Sequence, residues 1–517
     1  MIPDNPQIVI AIPPIEDFYS TPHRISSLGS RIAETLLENA GYQVRIINNL
    51  TDADRKRQLP LPAALTHLSP FLISNETGRS SYFTRYHRFG EEYDAVADKI
   101  TGINPSLCFI STFAFCYGES TLNLAEAIKK KWAELIVVAC GAGVSVYPDY
   151  FLRDSSIDFT LSGEAETNLL PFIGYIAGKS SAPGLVPGLG YKNKGQRIFN
   201  MAAPPTDSST LQPVLALTGE TKDAVYYTAS VSRGCNSACR FCANHLVHGR
   251  SFRCAEPDRF AAQVGALPDA AEGKTVFFNF EDDNLLCDMP RFREIIRICK
   301  KRFPGVRFTA ENGIDYRPMS DEICSELIDA GFIQFNFTLG SVDETVLQQE
   351  TRHGSINRYD ALLALCRKSG CKVITYIICG FPEDTLETIS RSFRFLLEKE
   401  TAIGVSLFYP VPGLPGFRDL RTFDTLSPTL CCGSSAWPWN NSLSTETLVT
   451  AFRIARVINC MYSFDLTDQE HEVITRTIET GSLHTMVKDK GERRVVEVPR
   501  QDKELVRMVF SSTAVLI

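Results

Sequence analysis

Cys235, Cys239 and Cys242 stand in the segment Ser-Arg-Gly-Cys-Asn-Ser-Ala-Cys-Arg-Phe-Cys, residues 232–242, as a Cys-x3-Cys-x2-Cys triplet. Three thiolates on one short loop can hold three irons of a [4Fe–4S] cluster and leave the fourth iron without a protein ligand. An iron with an open position binds a substrate or cofactor directly, which a fully ligated electron-transfer cluster does not do. Structural zinc is a competing use of the same residues: it asks for four ligands, and His245 or His248 could supply the fourth. Chance grouping in a chain with 16 cysteines is the third reading. Cys431, Cys432 and Cys460 also invite an auxiliary cluster, but adjacent cysteines rarely ligate one cluster together.

The bulk of the chain narrows the setting. At 517 residues it is long enough for two or three domains, and 44% hydrophobic residues supply their cores. A formal charge of -7 leaves no basic excess to neutralise phosphates, so nucleic acid is not an expected partner. Cys108, Cys140 and Cys379 lie in apolar stretches, where a reduced cysteine acts as a small hydrophobe; a secreted disulfide framework is not indicated. No leader-like N-terminus is evident and no run reaches 18 apolar residues, so no membrane span and a cytoplasmic location are expected.

The elements that must position the triplet follow from hydrophobic period. Apolar runs at 8–12, 43–47, 107–111, 135–140 and 157–161, with helical patterns at 26–39 and 120–131, predict a parallel sheet covered on both faces. That is a doubly wound, flavodoxin-like α/β layout, which binds ligands beyond the carboxyl ends of its strands. Residues 51–100 read as a long excursion, and Gly, Pro, Ser and Thr make 177–220 read as a linker. A second series has strands at 226–230, 276–280, 307–310, 334–338, 373–379 and 405–409. Helices are expected between them at 258–266, 291–302, 320–330, 356–368 and 386–399. Six βα units predict a partial (β/α)6 barrel with its site at the carboxyl ends of the strands, where the triplet falls. The expected division is 1–176, 177–220, 221–425 and a mixed helical C-terminal region, 426–517.

The triplet, with Gly234 before it and Phe241 inside it, resembles the cluster loop of the radical S-adenosylmethionine (SAM) enzymes. In that family the open iron chelates SAM, and reduction cleaves it to a 5′-deoxyadenosyl radical. The resemblance extends to the strand ends. It implies that Glu281-Asp282-Asp283 meet the SAM amino group, and that Glu311, Asn312 and Ser341 touch its ribose and carboxylate. It also implies that Arg352 pairs with a carboxylate, and that Gly380 and Pro382, in Cys-Gly-Phe-Pro-Glu-Asp-Thr, line the adenine.

The first half resembles the cobalamin-binding domain fused ahead of such barrels, through Ser111-Thr112, Gly141-Ala142-Gly143 and Gly163-Glu164 at strand ends. The Asp-x-His-x-x-Gly motif, whose histidine ligates cobalt in many cobalamin proteins, is absent, and His23 lacks its neighbours. Tyr82, His87 and Tyr117 could approach a cobalt or substrate but read as ordinary packed or surface residues. The resemblance implies a B12-dependent radical SAM enzyme with a [4Fe–4S] cluster, SAM and cobalamin as cofactors. A flavodoxin or ferredoxin would donate electrons, and a small molecule or peptide would be the substrate. C-methylation of an unactivated carbon is the first reading. Cobalamin-assisted rearrangement or cyclisation, a tRNA methylthiotransferase and a non-catalytic iron–sulfur protein are the alternatives.

Overall fold

The computed structural model describes residues 6–18, 27–50, 56–179, 182–269, 273–463 and 465–511; His23 lies outside them. A seven-stranded sheet forms the first half. Across it run Gln196–Phe199, Leu189–Asn193, Phe159–Leu161, Ile136–Cys140, Leu107–Ser111, Gln7–Ile12 and Gln43–Asn48. The last five are parallel, and their chain order across the sheet is the flavodoxin-like one. Ile8 to Ala11 are at most 2% exposed because helices cover both faces, which is why these strands read as unbroken apolar runs.

Residues 177–220 are not a bare linker. Leu189–Asn193 and Gln196–Phe199 extend the first sheet antiparallel, and Val214–Glu220 pairs antiparallel with the first barrel strand. Their high exposure on one face hides the apolar signal. The long excursion expected at 51–100 contributes Lys56–Leu59 and Tyr86–Phe89, which make a small sheet with Ile15–Asp17.

The second half has six parallel strands: Ala224–Ser230, Thr275–Phe280, Arg307–Thr309, Gln334–Gly340, Lys372–Cys379 and Ala402–Leu407. Two ladders, joined through the bridges Phe308↔Phe332 and Ile314↔Phe337, make the open barrel. Burial alternates along Thr275–Phe280: Val276, Phe278 and Phe280 pack under helices, leaving Asn279 for the lumen. The helix Thr445–Met461 closes the open side. Its Asn459 amide bonds both the N–H and the carbonyl of Ile403, at 2.7 and 2.8 Å, satisfying the exposed edge of the last strand. No helix among the described residues is long and apolar enough to cross a membrane.

Candidate functional site

The thiol loop leaves the barrel just after its first strand. Ser232–Arg233 pair antiparallel with Arg253–Cys254, so residues 234–252 form a loop pinched at its neck. Gly234 has φ +79°, and a Cβ there would meet the Ser251 carbonyl oxygen at 2.2 Å; only glycine makes this turn. Asp282 holds the near side, accepting from Val231 N at 2.9 Å and from the N–H and hydroxyl of Ser232 at 2.5 Å. Burial pushes its carboxyl up to about 7 against these donors. Asp283 accepts from Gly234 N at 2.7 Å.

Donors point at the sulfurs, as suits thiolates or iron-bound sulfur. Cys235 accepts from Ser237 N and the Asn284 amide, both at 3.4 Å. Buried Cys239 lies 3.6 Å from an Arg352 nitrogen, whose other arm bonds the Thr338 hydroxyl at 2.8 Å and the Thr338 carbonyl. Burial raises the Cys242 thiol to about 11, reinforced by Cys239 and Cys235 nearby. Glu350 O and the Thr351 hydroxyl tie the loop backbone down at Arg240 and Ala238. Among the described residues no three His, Cys, Asp or Glu side chains converge on a single point as a lone ion needs. A four-iron cubane asks instead for one thiolate on each of three irons. The two histidines offered to zinc are engaged through Nδ1, His245 on the Cys242 carbonyl and His248 on Glu164, each at 2.9 Å. Cys431 and Cys460 lie in different cores, apart from each other.

The other expected residues divide. Glu311 and Asn312 are exposed at the barrel mouth, and Glu281 N bonds Ala229 O. Gly380, φ +96°, lies at the mouth beside exposed Pro382; Asp384 accepts from Gly380 N and Phe381 N at 2.9 and 3.0 Å. Ser341 instead faces the Leu386–Glu398 helix, 3.4 Å from the Ser392 hydroxyl and bonded to Asp343 N. Sequence reasoning misses the lumen residues Asn279, Asn336 and Tyr376. Asn279 accepts from the Thr309 hydroxyl and Glu311 N, and Tyr376 bonds Asn336 and the Glu311 carbonyl. Their signal is polar residues at alternate positions in otherwise apolar strands.

At the carboxyl edge of the first sheet, Ser111 is half-buried and Thr112 is wholly buried, its hydroxyl 2.8 Å from Thr121. Cβ atoms at Gly141 and Gly143 would meet Thr112 O and Ala114 C at 2.6 Å, so both glycines serve the packing of their own loops. Gly163, φ +92°, bonds the Ser145 hydroxyl. The Ser162 hydroxyl and Asn168 Oδ1, buried at this edge, have no hydrogen-bond partner among the described residues. A nucleotide tail of cobalamin has the donors and acceptors to satisfy them, so the residues present fit that cofactor.

Glu164 does something else. Its carboxylate takes Arg253 at 2.9 and 3.0 Å, His248 at 2.9 Å and Thr206 N at 2.8 Å. Burial raises its pKa, but His248 and Arg253 outweigh that and hold it at about 2. Glu166 grips Arg233 at 2.7 and 3.0 Å. Arg233 and Arg253 are register partners at the loop's neck, so two carboxylates of the first half clamp the base of the thiol loop. A further contact spans the halves. Asp17, in the short strand that follows the first strand of the sheet, accepts from the Tyr117 hydroxyl at 2.8 Å and lies 3.7 Å from the Cys432 sulfur.

This is a barrel and loop of the radical SAM kind: the Radical SAM superfamily profile matches residues 229–396. Residues 229–396 are thus a radical SAM domain, and the chain around them shares its fold with two cobalamin-dependent radical SAM proteins. It is 26% identical over 197 residues to bacteriochlorophyllide d C-12(1)-methyltransferase of Chlorobaculum tepidum, covering 37% of this chain and 41% of that protein. The match thus spans about two fifths of that relative's length. The structure of the radical SAM methyltransferase TsrM from Kitasatospora setae, with cobalamin and a [4Fe–4S] cluster bound, superposes with TM-score 0.58. Identity is 13%, over 81% of this chain and 75% of that one. OxsB, a cobalamin-dependent SAM radical enzyme with aqua-cobalamin bound, gives 0.54 and 12%, over 82% and 56%. At these identities the two structures show a shared fold.

Proposed function

We propose that this chain is a radical SAM enzyme that uses cobalamin to methylate an unactivated carbon of a small molecule or peptide. The observation that carries the reading is the clamp of Glu164 and Glu166 on Arg253 and Arg233. It fixes the thiol loop at the barrel's carboxyl end against the carboxyl edge of the first sheet, the two places where such folds bind ligands. Cys235, Cys239 and Cys242 would hold the cluster, which when bound supplies the electron that cleaves SAM. Cobalamin, when bound at the sheet edge, supplies a transferable methyl group. The chain's own part is positioning. Arg352 offers donors beside Cys239, and the Asn336–Tyr376 pair gives the lumen polar groups for a nucleoside. Asp282 and Asp283 hold the loop in place.

TsrM and the Chlorobaculum enzyme are methyltransferases by description, which favours methyl transfer over rearrangement or cyclisation. A flavodoxin or ferredoxin donor and a cytoplasmic setting belong to the same reading. A tRNA substrate suits the chain less well, given its charge of -7. A purely structural iron–sulfur role leaves the polar lumen without a use. The test is anaerobic purification from cobalamin-fed cells. About four irons and one cobalt per chain are expected, with 5′-deoxyadenosine formed on adding SAM and reductant. Cys239→Ala should abolish both iron and product. Iron without cobalt would remove the methyl-transfer reading, and zinc in place of iron would remove the whole proposal.

A further inference from the structure

The helix that closes the barrel carries a second polar centre, on the side facing the excursion from the first half. Arg453 is 2% exposed and ion-pairs Glu76, with one contact at 3.1 Å. Glu76 is saturated: it also accepts from the Thr485 hydroxyl at 2.6 Å and from Tyr82 N at 3.3 Å. One turn on, Arg456 has no such partner. Its guanidinium lies over Phe452 and Phe83, 5.0 and 5.6 Å from the ring centroids, and no hydrogen bond or ion pair from the described residues holds it. Two arginines thus share one carboxylate in a largely buried place.

The neighbouring donors are unmet too. The Tyr82 hydroxyl is buried, on a residue 2% exposed, and has no hydrogen-bond partner among the described residues; neither has Nε of Arg453. The Tyr82 ring packs 5.6 Å from Phe452 and 5.3 Å from the Arg453 guanidinium, so the unmet donors share one aromatic cage. Buried donors without acceptors are costly, and an uncompensated buried cation more so. A site with surplus positive charge and only donors to offer is complementary to an anion. It reaches toward the contact between the halves as well: Phe83 stacks on Phe18 at 5.7 Å, and Phe18 follows Asp17 directly.

We propose that Arg456, Nε of Arg453 and the Tyr82 hydroxyl form an oxyanion subsite that receives a carboxylate or phosphate arm of the substrate. The assignment to substrate rests on the proposed function, with the reaction where the two halves meet; the anion site itself does not. The substrate class is then an organic anion.

The probes are inorganic phosphate and propionate, each titrated calorimetrically at fixed ionic strength into the full-length, anaerobically purified, cluster-loaded protein. One should bind saturably, half-saturating at ~1 mM, as a few charge-assisted hydrogen bonds allow. Tyr82→Phe, which keeps the ring, and Arg456→Gln should each weaken binding about tenfold or more. Preference for phosphate assigns a phosphate arm and preference for propionate a carboxylate arm. No saturable binding of either, or binding that survives both substitutions, overturns the subsite. SAM cleavage by the wild-type preparation is read in parallel. If cleavage fails while anion binding holds, the proposed function is at fault and not the subsite.

Discussion

Glu164, at the carboxyl edge of the first sheet, and Arg253, at the neck of the thiol loop, form a two-pronged ion pair with both side chains at most 8% exposed. Removing one partner of such a pair strands the other charge in a dry place. Glu164→Ala should therefore destabilise the protein by about 3–5 kcal/mol, read by denaturant unfolding, and lower the iron bound per chain. Its pKa of about 2 fixes the pH behaviour. A depressed carboxylate gives stability that is fully present above its unfolded pKa and lost as pH falls through the folded one. The wild-type advantage over Glu164→Ala should accordingly stay level near neutrality and shrink below pH ~4.

Glu350 carries the opposite sign. It is 4% exposed, and burial, with the Glu383 charge second, lifts it to about 7. The folded chain keeps a proton that the unfolded chain gives up between roughly pH 4.5 and 7. Stability should fall as pH rises through that window and level off above it. Glu350→Gln should flatten this dependence and gain about 2 kcal/mol at pH ~8. A variant that tracks wild type across the window in thermal unfolding would refute the assignment.

At Gly234 the obstacle is steric. With φ +79° and the Ser251 carbonyl oxygen 2.2 Å from where a Cβ would stand, Gly234→Ala must open the neck or shift Ser251. A cost of about 1–3 kcal/mol is expected, with the larger effect on iron uptake. Reconstitution followed by absorbance of the iron–sulfur chromophore measures it. Full iron content in this variant would show that the neck has slack.

What can be read in advance is what depends on local period and spacing. The triplet, the parallel runs at 8–12 and 107–111, and the six barrel strands are local signals. The apolar pattern starts strand 402–407 three residues late, because Ala402 and Gly404 weaken its beginning. The clamp is not legible. Glu164 reads as a strand-end ligand, and nothing near it in sequence names Arg253, 89 residues away. The strands at 189–193 and 196–199 are lost among turn residues, because an edge hairpin buries too little to leave an apolar pattern. Tyr117 reads as packed, and it is, but against a carboxylate.

That contact gives the last test. Burial raises the pKa of Asp17, while donors from Ser434, Tyr117, Phe18 N and Cys432 hold it down. Tyr117→Phe keeps the ring and deletes the 2.8 Å donor. The ionised form of Asp17 loses most, so its pKa should climb further. Where Asp17 is ionised the loss should approach about 2 kcal/mol, the scale of a hydrogen bond to a charged group. At lower pH, where Asp17 is protonated in both proteins, the two should converge. Denaturant melts at two pH values, one toward each end of the range in which the protein stays folded, decide it, because a raised carboxyl gives up its charge as pH falls. A penalty equal at both pH values would mean that the hydroxyl serves packing alone. A penalty confined to high pH would establish Asp17 as a charge held between the first sheet and the segment around Cys432, at the edge where the two halves meet.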